Sequence, residues 1–499
     1  MIKKTFDRSP FQLAVIAGVL VGFSYPPIPG FTAWFGFLPL IHIWRTQMPK
    51  ESARWSFFAS VIANLISLYW IGLNSGASGV AVLLSLVGAI LYLSIMWAGL
   101  GWIVALYEKK NGNSLIIIPF LWVTMEWVRS FGPLGFPWAN LATTQTVFLP
   151  VIQMIEITGT EGIGFWILLV NVVTYISIHT EKNKRNLVIC SILLFSLPWI
   201  YGTIRMSVFE FDENKPYREL AVLQPNINPN EKWETSFRPR LYEIMDSLHA
   251  EAISMNPDLI LWPEAALPAY MRVSPKRRDY EWLVMESGIP IVMGTVDFYR
   301  DTTGRRVYNG SIYIGLEGNK IYHKIFLVPF AEYIPLSDKI PLLKKLNFGQ
   351  ANFTAGSEFT VFPMDSILFS NLICYESSHP EVARGFVQNG ARFLTIEAND
   401  AWLQNSSGVR QHFELARLRA VELRTGIVRS ANTGISGIIY PSGKVEKKIS
   451  FGKQAVFKGK VPLRSSMTFF ALYGSVFAQI CLIITLIQIV WLIKRLNHS

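Results

Sequence analysis

The sequence predicts a polytopic α-helical membrane protein, with eight transmembrane helices, that carries one water-facing α/β domain. Three observations lead there. Of 499 residues, 51% are hydrophobic and only 16% charged, where soluble domains carry about 25% charged residues. The apolar excess sits in long runs toward both ends of the chain. Between them, residues 207–468 hold 31 Lys+Arg against 28 Asp+Glu, the balance of an ordinary soluble domain. The implied division is a seven-helix region over 1–206, the water-facing domain over 207–468, and a last helix within 469–499. The balanced middle also removes the nucleic-acid reading that a net charge of +11 invites. The surplus bases lie at the ends of apolar runs, where they report membrane topology instead.

A helix needs about 20 apolar residues to cross a hydrocarbon core. Runs near 10–27, 30–45, 55–74, 79–107, 114–131, 162–179, 186–205 and 469–493 meet or approach that length. The first two share the break Pro26-Pro27-Ile28-Pro29-Gly30 and read as a helical hairpin. A second apolar run so close behind, with no small-residue cleavage site, argues against a cleaved leader. With the N-terminus inside, about thirteen bases, from Lys3 and Lys4 to Lys494 and Arg495, fall on the inner ends of the helices, and only Arg129 and Arg205 on the outer ends. That bias places both termini in the cytoplasm. Seven crossings then place 207–468 on the far side, so the domain is expected to be extracytoplasmic. Segment 132–150, apolar but broken by Gly and Pro, is expected in the interface, with Trp138 as a lipid-entry residue or an aromatic anchor.

Within the domain, strand patterns cover 219–227, 258–262, 289–295, 306–326 (a hairpin turned at Glu317-Gly318-Asn319), 368–375, 392–397 and 427–440. Helical spacing marks 237–252 and 410–424. In the second, Phe413, Ala416, Ala420 and Leu423 form an apolar stripe, with Arg417 and Arg424 on the far face. Strands with interleaved helices predict a layered α/β or α+β sandwich.

Three side chains in this domain suggest chemistry. Glu264 leaves an apolar strand in Leu261-Trp262-Pro263-Glu264. Lys324 lies inside the hydrophobic run Ile321-Tyr322-His323-Lys324-Ile325-Phe326, and Cys374 ends another in Leu372-Ile373-Cys374-Tyr375-Glu376. Of three cysteines, Cys190 and Cys481 fall in predicted membrane helices, so Cys374 has no disulfide partner in its domain. Taken singly, each residue has a plain alternative: a solvated loop carboxylate, an edge-strand guard, a small core residue. Together they supply a base, a cation and a nucleophile. A thiol with a pKa of about 8.5 is mostly unreactive near neutral pH. A carboxylate can take its proton as attack begins, and an ammonium favours the anion that forms. Lys324 and the backbone N–H of Tyr375 are candidate donors to the oxyanion, and the product is a thioester.

The ordered set Glu264, Lys324 and Cys374, spaced by 60 and 50 residues, resembles the nitrilase (carbon–nitrogen hydrolase) superfamily, and within it the apolipoprotein N-acyltransferase branch. The resemblance covers essentially the whole chain. It includes Gln224-Pro225-Asn226 with Trp233, Trp262-Pro263-Glu264, His323-Lys324 with Pro329-Phe330-Ala331-Glu332-Tyr333, Cys374-Tyr375-Glu376, Asn399-Asp400-Ala401-Trp402, the run from His412 to Ala420, and Asn432-Thr433-Gly434. It implies a nitrilase-like αββα sandwich in the periplasm and a multi-pass protein of the bacterial inner membrane. It also implies a ping-pong acyltransferase that moves a fatty acyl chain from a phospholipid, phosphatidylethanolamine above all, through a thioester on Cys374. The acceptor is the α-amino group of the S-diacylglyceryl-cysteine that begins an apolipoprotein. On this resemblance Glu264 is the general base, Lys324 the oxyanion stabiliser and Cys374 the nucleophile. Glu332 positions lysine or substrate, and Tyr375, Glu376 and Trp233 match further important positions. The chain departs from the family pattern at Asn309-Gly310-Ser311 and at Ile396-Glu397-Ala398.

Lipid substrates account for the membrane helices. Each buried CH₂ holds a chain in the bilayer by about 0.8 kcal/mol, so extracting an acyl chain into water would cost on the order of 10 kcal/mol. Loop 333–350 interleaves Ile340, Leu342, Leu343, Leu346 and Phe348 with Lys339, Lys344 and Lys345, and reads as a flap for lipid or as an ordinary packed loop. The seven histidines show no metal-ligand spacing. No nucleotide loop follows a strand. No metal, cofactor or nucleic acid is therefore expected, and absent heptads a monomer is the default. His379 and His412 read as structural. Two rival functions use the same features: a membrane-tethered amidase, in which water resolves the thioester, and a transporter, which predicts charges deep within helices. Glu126, Glu156 and Glu161 are expected near helix ends or in loops.

Overall fold

The computed structural model describes residues 6–180, 183–302, 304–337, 339 and 352–497. The chain forms two compact units: Met1–Gly72, Leu83–Val208 and Tyr473–Ser499 make one, Leu73–Val82 and Phe209–Leu472 the other.

In the first unit, five helices among the described residues are long and apolar enough to cross a membrane: Pro49–Leu73, Gly79–Asn111, Glu161–His179, Lys184–Val208 and Val476–Leu496. Pro10–Gly22, Ser114–Val128 and Leu149–Thr158 are shorter apolar helices. The expected N-terminal hairpin is a 13-residue helix, Pro10–Gly22, and a 9-residue helix, Leu38–Thr46. The first begins at a capping box, Ser9 with Gln12. Its Ala14, Gly18 and Gly22 recur every fourth residue and are buried. A Cβ on Gly18 would stand 2.6 Å from the Ala59 carbonyl oxygen and 2.7 Å from Ile62. The small residues thus let two backbones approach, which is how helices associate without a hydrophobic driving force.

Part of the stretch after Gly132 packs into the protein: Trp138 is buried against Trp70, ring centroids 5.0 Å apart, and 137–146 are buried throughout. Its irregular backbone is satisfied by protein groups. Glu126 accepts from the Leu141 N–H at 2.8 Å and Tyr25 donates to the Ala139 carbonyl at 2.7 Å, while Arg129 donates to the Asn140 side-chain oxygen at 2.7 Å. Glu126, Glu156 and Glu161 stand near helix ends as expected, and all three are buried.

The second unit is a sandwich. Its strands are β1 (Tyr217–Gln224), β2 (Leu259–Leu261), β3 (Ile291–Asp301), β4 (Gly304–Gly315), β5 (Gly318–His323), β6 (Phe362–Met364), β7 (Ile367–Ile373), β8 (Ala391–Ala398), β9 (Ile427–Ala431), β10 (Ser436–Ile439), β11 (Val445–Ile449) and β12 (Ala455–Pro462). Its longer helices are α1 (Arg238–Ser254), α2 (Lys276–Ser287), α3 (Pro380–Gln388) and α4 (Ser407–Leu423). One six-stranded sheet has the order β12-β1-β2-β3-β4-β5 and the other β11-β10-β9-β8-β7-β6. In each, three central strands are parallel and an antiparallel hairpin extends one side. Parallel strands buried on both faces read as unbroken apolar runs, and Leu259, Ile260 and Leu261 are all fully buried. One core joins α1 and α2 to the outer face of the first sheet through Leu241, Met245, Tyr280, Ile260 and Met293. The other runs between the sheets and under α3 and α4 through Val222, Leu261, Phe369, Phe386 and Phe413.

The span 427–440 is two strands rather than one, broken where Asn432 turns to bind the 227 loop: its Nδ2 donates to the Ile227 carbonyl at 2.7 Å and its Oδ1 accepts from the Ile227 N–H at 3.0 Å. The far face of α4 carries ion pairs, and much of it is buried. Arg419 and Glu422 are buried as an ion pair of 3.0 Å, and buried Arg424 donates to the Pro441 carbonyl at 2.9 Å. These charged side chains point into the protein and pair there, so charge does not mark an outer face here.

Candidate active site

Each of the three side chains stands just beyond the C-terminal end of a strand, and local backbone devices aim it. After β2, Trp262 and Ala266 donate to the carbonyls of Val292 and Gly294 on β3, and Ala265 adopts a left-handed φ of 45°. Gly294 is required there, because a Cβ would lie 2.3 Å from the Ala265 nitrogen. The buried Lys232 ammonium donates to the Glu264 carbonyl at 3.4 Å. Lys324 follows β5 and ties back to β4, its N–H donating to the Asn309 carbonyl at 2.9 Å. Cys374 ends β7 with φ 52° and opens the turn Cys374–Ser378. A left-handed cysteine is strained, and such strain at a strand-to-helix corner exposes a side chain.

The side chains converge. Lys324 Nζ donates to both oxygens of Glu332 at 2.8 and 2.9 Å and lies 3.8 Å from Glu264. Asn309 Nδ2 bridges the two acids, donating to Glu264 and to Glu332 at 2.8 Å each. Glu332 also accepts from the Val328 N–H at 2.7 Å, so its carboxylate is held from three directions. Glu264, Lys324 and Glu332 are buried, whereas Cys374 keeps partial exposure. Glu376 is fully buried behind them. It accepts from Ile373 N–H at 2.8 Å, Ile325 N–H at 2.7 Å and Tyr322 O–H at 2.6 Å, and so ties the cysteine turn to the lysine loop.

The electrostatics follow from burial and neighbours. Burial pushes the Cys374 thiol well above its ordinary range; Glu264 pushes it further, and Lys324 opposes. The resting sulfur is therefore a thiol. Burial alone would lower Lys324, but Glu332 and Glu264 reverse this and hold it charged. Burial raises Glu376 to about 7. Beside the thiol, His412 Nε2 is 3.0 Å from the Cys374 carbonyl oxygen, while its Nδ1 lies 2.6 Å from Asp400, which Arg429 also binds at 2.7 Å. Among the described residues, no group of three or more His, Cys, Asp or Glu is arranged to hold a metal ion.

Two family descriptions match this chain, "Apolipoprotein N-acyltransferase N-terminal domain" over residues 17–173 and "Carbon-nitrogen hydrolase" over residues 219–466. The apolipoprotein N-acyltransferase of Geobacter metallireducens is 34% identical over 95% of this chain and 94% of its own. The chain belongs to the apolipoprotein N-acyltransferase family. It is an acyltransferase of lipoprotein biosynthesis, with a nitrilase-like α/β domain and several apolar helices. The Chlorobaculum tepidum enzyme is 28% identical over 95% of this chain and 94% of its own. Among solved structures, a Saccharomyces cerevisiae member of the nitrilase superfamily matches 49% of this chain and 90% of its own at 17% identity, with a TM-score of 0.38. An amidase of Nesterenkonia matches 53% of this chain and 95% of its own at 16% identity, with the same score of 0.38.

In this N-acyltransferase, the buried Glu264, Lys324, Glu332 and Glu376 gather around one partly exposed thiol, Cys374. Tyr375 is buried beside it, its ring 4.8 Å from that of His379. Trp233 is not drawn in: its side chain is 51% exposed, and the neighbour that turns toward Glu264 is Lys232. Asn309 and Lys232 were not among the residues expected to act. The signal for Asn309 was a polar residue on the inward face of a strand, with Ser311 and Tyr313 following at intervals of two. His412, expected to be structural, touches the backbone of the candidate nucleophile. The flap reading of 333–350 rests almost wholly on residues outside those described.

Proposed function

We propose that this enzyme carries an acyl chain from a phospholipid to an apolipoprotein on Cys374, with Glu264 as general base and Lys324 as oxyanion stabiliser. The observation that carries the reading is that one carboxylate and one fixed ammonium lie close enough to a single strained, partly exposed thiol for both charges to act on it. As Sγ adds to the ester carbonyl of the donor, its proton passes to Glu264. The carbonyl oxygen becomes an oxyanion facing Lys324 and the Tyr375 N–H. Collapse expels the lysophospholipid alkoxide, which takes the proton from Glu264 and leaves a thioester. The α-amine of the diacylglyceryl-cysteine then attacks that carbonyl, Glu264 receives the amine proton, and the returning thiolate takes it back. Glu332 and Asn309 hold the lysine and the base, and Glu376 holds the two loops in register.

The same reading assigns phosphatidylethanolamine as donor and a monomer as the working form. The eight helical segments, some short, each cross the inner membrane of a bacterium. Both termini lie in the cytoplasm, and the domain over 207–468 lies in the periplasm between helices of 1–206 and 469–499. The positive-inside bias supports this topology. Tyr375, Glu376 and Trp233 support the site or position substrate.

The test is turnover of a synthetic diacylglyceryl-cysteine peptide by the purified full chain with phosphatidylethanolamine. The peptide should gain one acyl mass with wild type and none with Cys374→Ala. Acylation by Cys374→Ala at the wild-type rate would overturn the reading.

A further inference from the structure

The β3–β4 hairpin runs beyond the level the site requires. Asn309, which holds both carboxylates, pairs with Val296, and past that rung the strands continue from Asp297↔Tyr308 to Asp301↔Gly304. β3 is parallel to β2, and Glu264 follows the end of β2. The extension therefore leaves the sandwich at the end where the candidate catalytic groups gather.

Four rungs beyond Asn309, the register sets Arg300 directly opposite Arg305. Side chains alternate along a strand, so Arg305 shares a face with Asn309, and Arg300 shares it across the hairpin. Both arginines are exposed. The Arg305 guanidinium lies 4.4 Å from the ring centre of Phe298 and 5.1 Å from that of Tyr270. Neither arginine makes an ion pair with any of the described side chains. The nearby Asp297 carboxylate already accepts from Arg272 at 2.9 Å and sits 3.0 Å from His323. Like charges directly opposite on a hairpin destabilise it. An anion held between the two guanidinium groups would relieve that repulsion, and guanidinium groups suit a phosphate bidentately.

We propose that Arg300 and Arg305 form a headgroup subsite, gripping the phosphodiester of the phospholipid whose ester is presented to Cys374. The proposal rests on the reading of Cys374 as the residue that takes the acyl chain from a phospholipid. Four rungs at about 3.4 Å each place the pair roughly 14 Å along the hairpin from Asn309. An arginine reaching back covers about half of that, and the glycerol backbone of the lipid covers the remainder. Arg305, stacked on two rings, is the fixed jaw, and Arg300 the adjustable one.

The experiment compares two acyl donors, phosphatidylethanolamine and diacylglycerol of the same chains, in full-length wild type and in Arg300→Gln, Arg305→Gln and the double variant. Thioester formation from a water-soluble nitrophenyl ester serves as a control. The double variant should raise the KM for phosphatidylethanolamine roughly tenfold or more, leave diacylglycerol and the soluble ester unchanged, and lose the salt sensitivity of the phospholipid reaction. Each single variant should show part of the effect. An unchanged ratio between the two lipids in all three variants overturns the subsite. Failure of the soluble ester to acylate wild-type Cys374 overturns the underlying reading instead, and the subsite with it.

Discussion

The two sheets of the sandwich contribute unlike halves to the site. The first sheet supplies Glu264 and Lys324, and their polar atoms are held by Asn309, Glu332 and one another. The second supplies Cys374, whose position is fixed through its backbone, by a left-handed φ and by His412 at its carbonyl. The acid–amine half is thus organised before substrate arrives, while the thiol stays neutral and partly accessible. Preorganised charge costs no rearrangement at the moment of reaction. A neutral thiol reacts slowly with water-borne oxidants even where it is partly accessible, until a carbonyl arrives beside the waiting base.

The comparison breaks most visibly if either half is removed. Glu264→Gln and Lys324→Met should each lower the rate of Cys374 acylation about a hundredfold or more, measured as single-turnover thioester formation. Equal rates in either variant would mean that the first sheet does not activate the thiol. The same pair should act in opposite directions on the resting thiol. Glu264 raises the pKa of Cys374 and Lys324 lowers it. Alkylation by iodoacetamide at fixed pH should therefore be faster in Glu264→Gln and slower in Lys324→Met. In wild type, the rate should climb only above the ordinary thiol range. A wild-type titration near pH 8.5 would contradict the buried, neutral sulfur.

Smaller effects separate positioning from chemistry. Asn309→Ala removes a donor from both carboxylates and should lower kcat about tenfold with little change in KM. Asn309→Asp should be worse, since it adds a third acid to the pair. At the scale of the backbone, Gly294→Ala forces a Cβ against Ala265 and should cost about 1–3 kcal/mol of stability together with activity, read by thermal unfolding and turnover. Ala265→Gly relieves a left-handed alanine and should change stability by less than about 1 kcal/mol. A stable and fully active Gly294→Ala would show that the close approach is not needed.

Glu264, Lys324 and Cys374 were legible because each interrupts or closes an apolar run, where a polar residue has no packing reason to be. Glu332 and Glu376 came from the resemblance, since nothing in their spacing points inward. Asn309 looked like a departure in a hairpin, and only the β4 register reveals that it faces two acids. β11 escaped notice because Val445-Glu446-Lys447-Lys448-Ile449 is a polar edge strand, with charges that discourage pairing rather than report burial. On α4 the spacing separates the two faces but cannot show that Arg419 and Arg424 are buried, since an arginine paired inside the protein reads in sequence like one in solvent. In the membrane unit, the apolar runs located the helices, but the prolines and the small residues that let helices touch set their lengths and contacts.

The most direct measurement is the intact mass of the purified full chain after incubation with phosphatidylethanolamine in the absence of acceptor. An acyl-sized mass that maps to Cys374, stable to water and discharged by a diacylglyceryl-cysteine peptide, is the predicted result. An enzyme that turns over lipid yet never carries that mass, or carries it on another residue, would contradict a covalent route through this thiol.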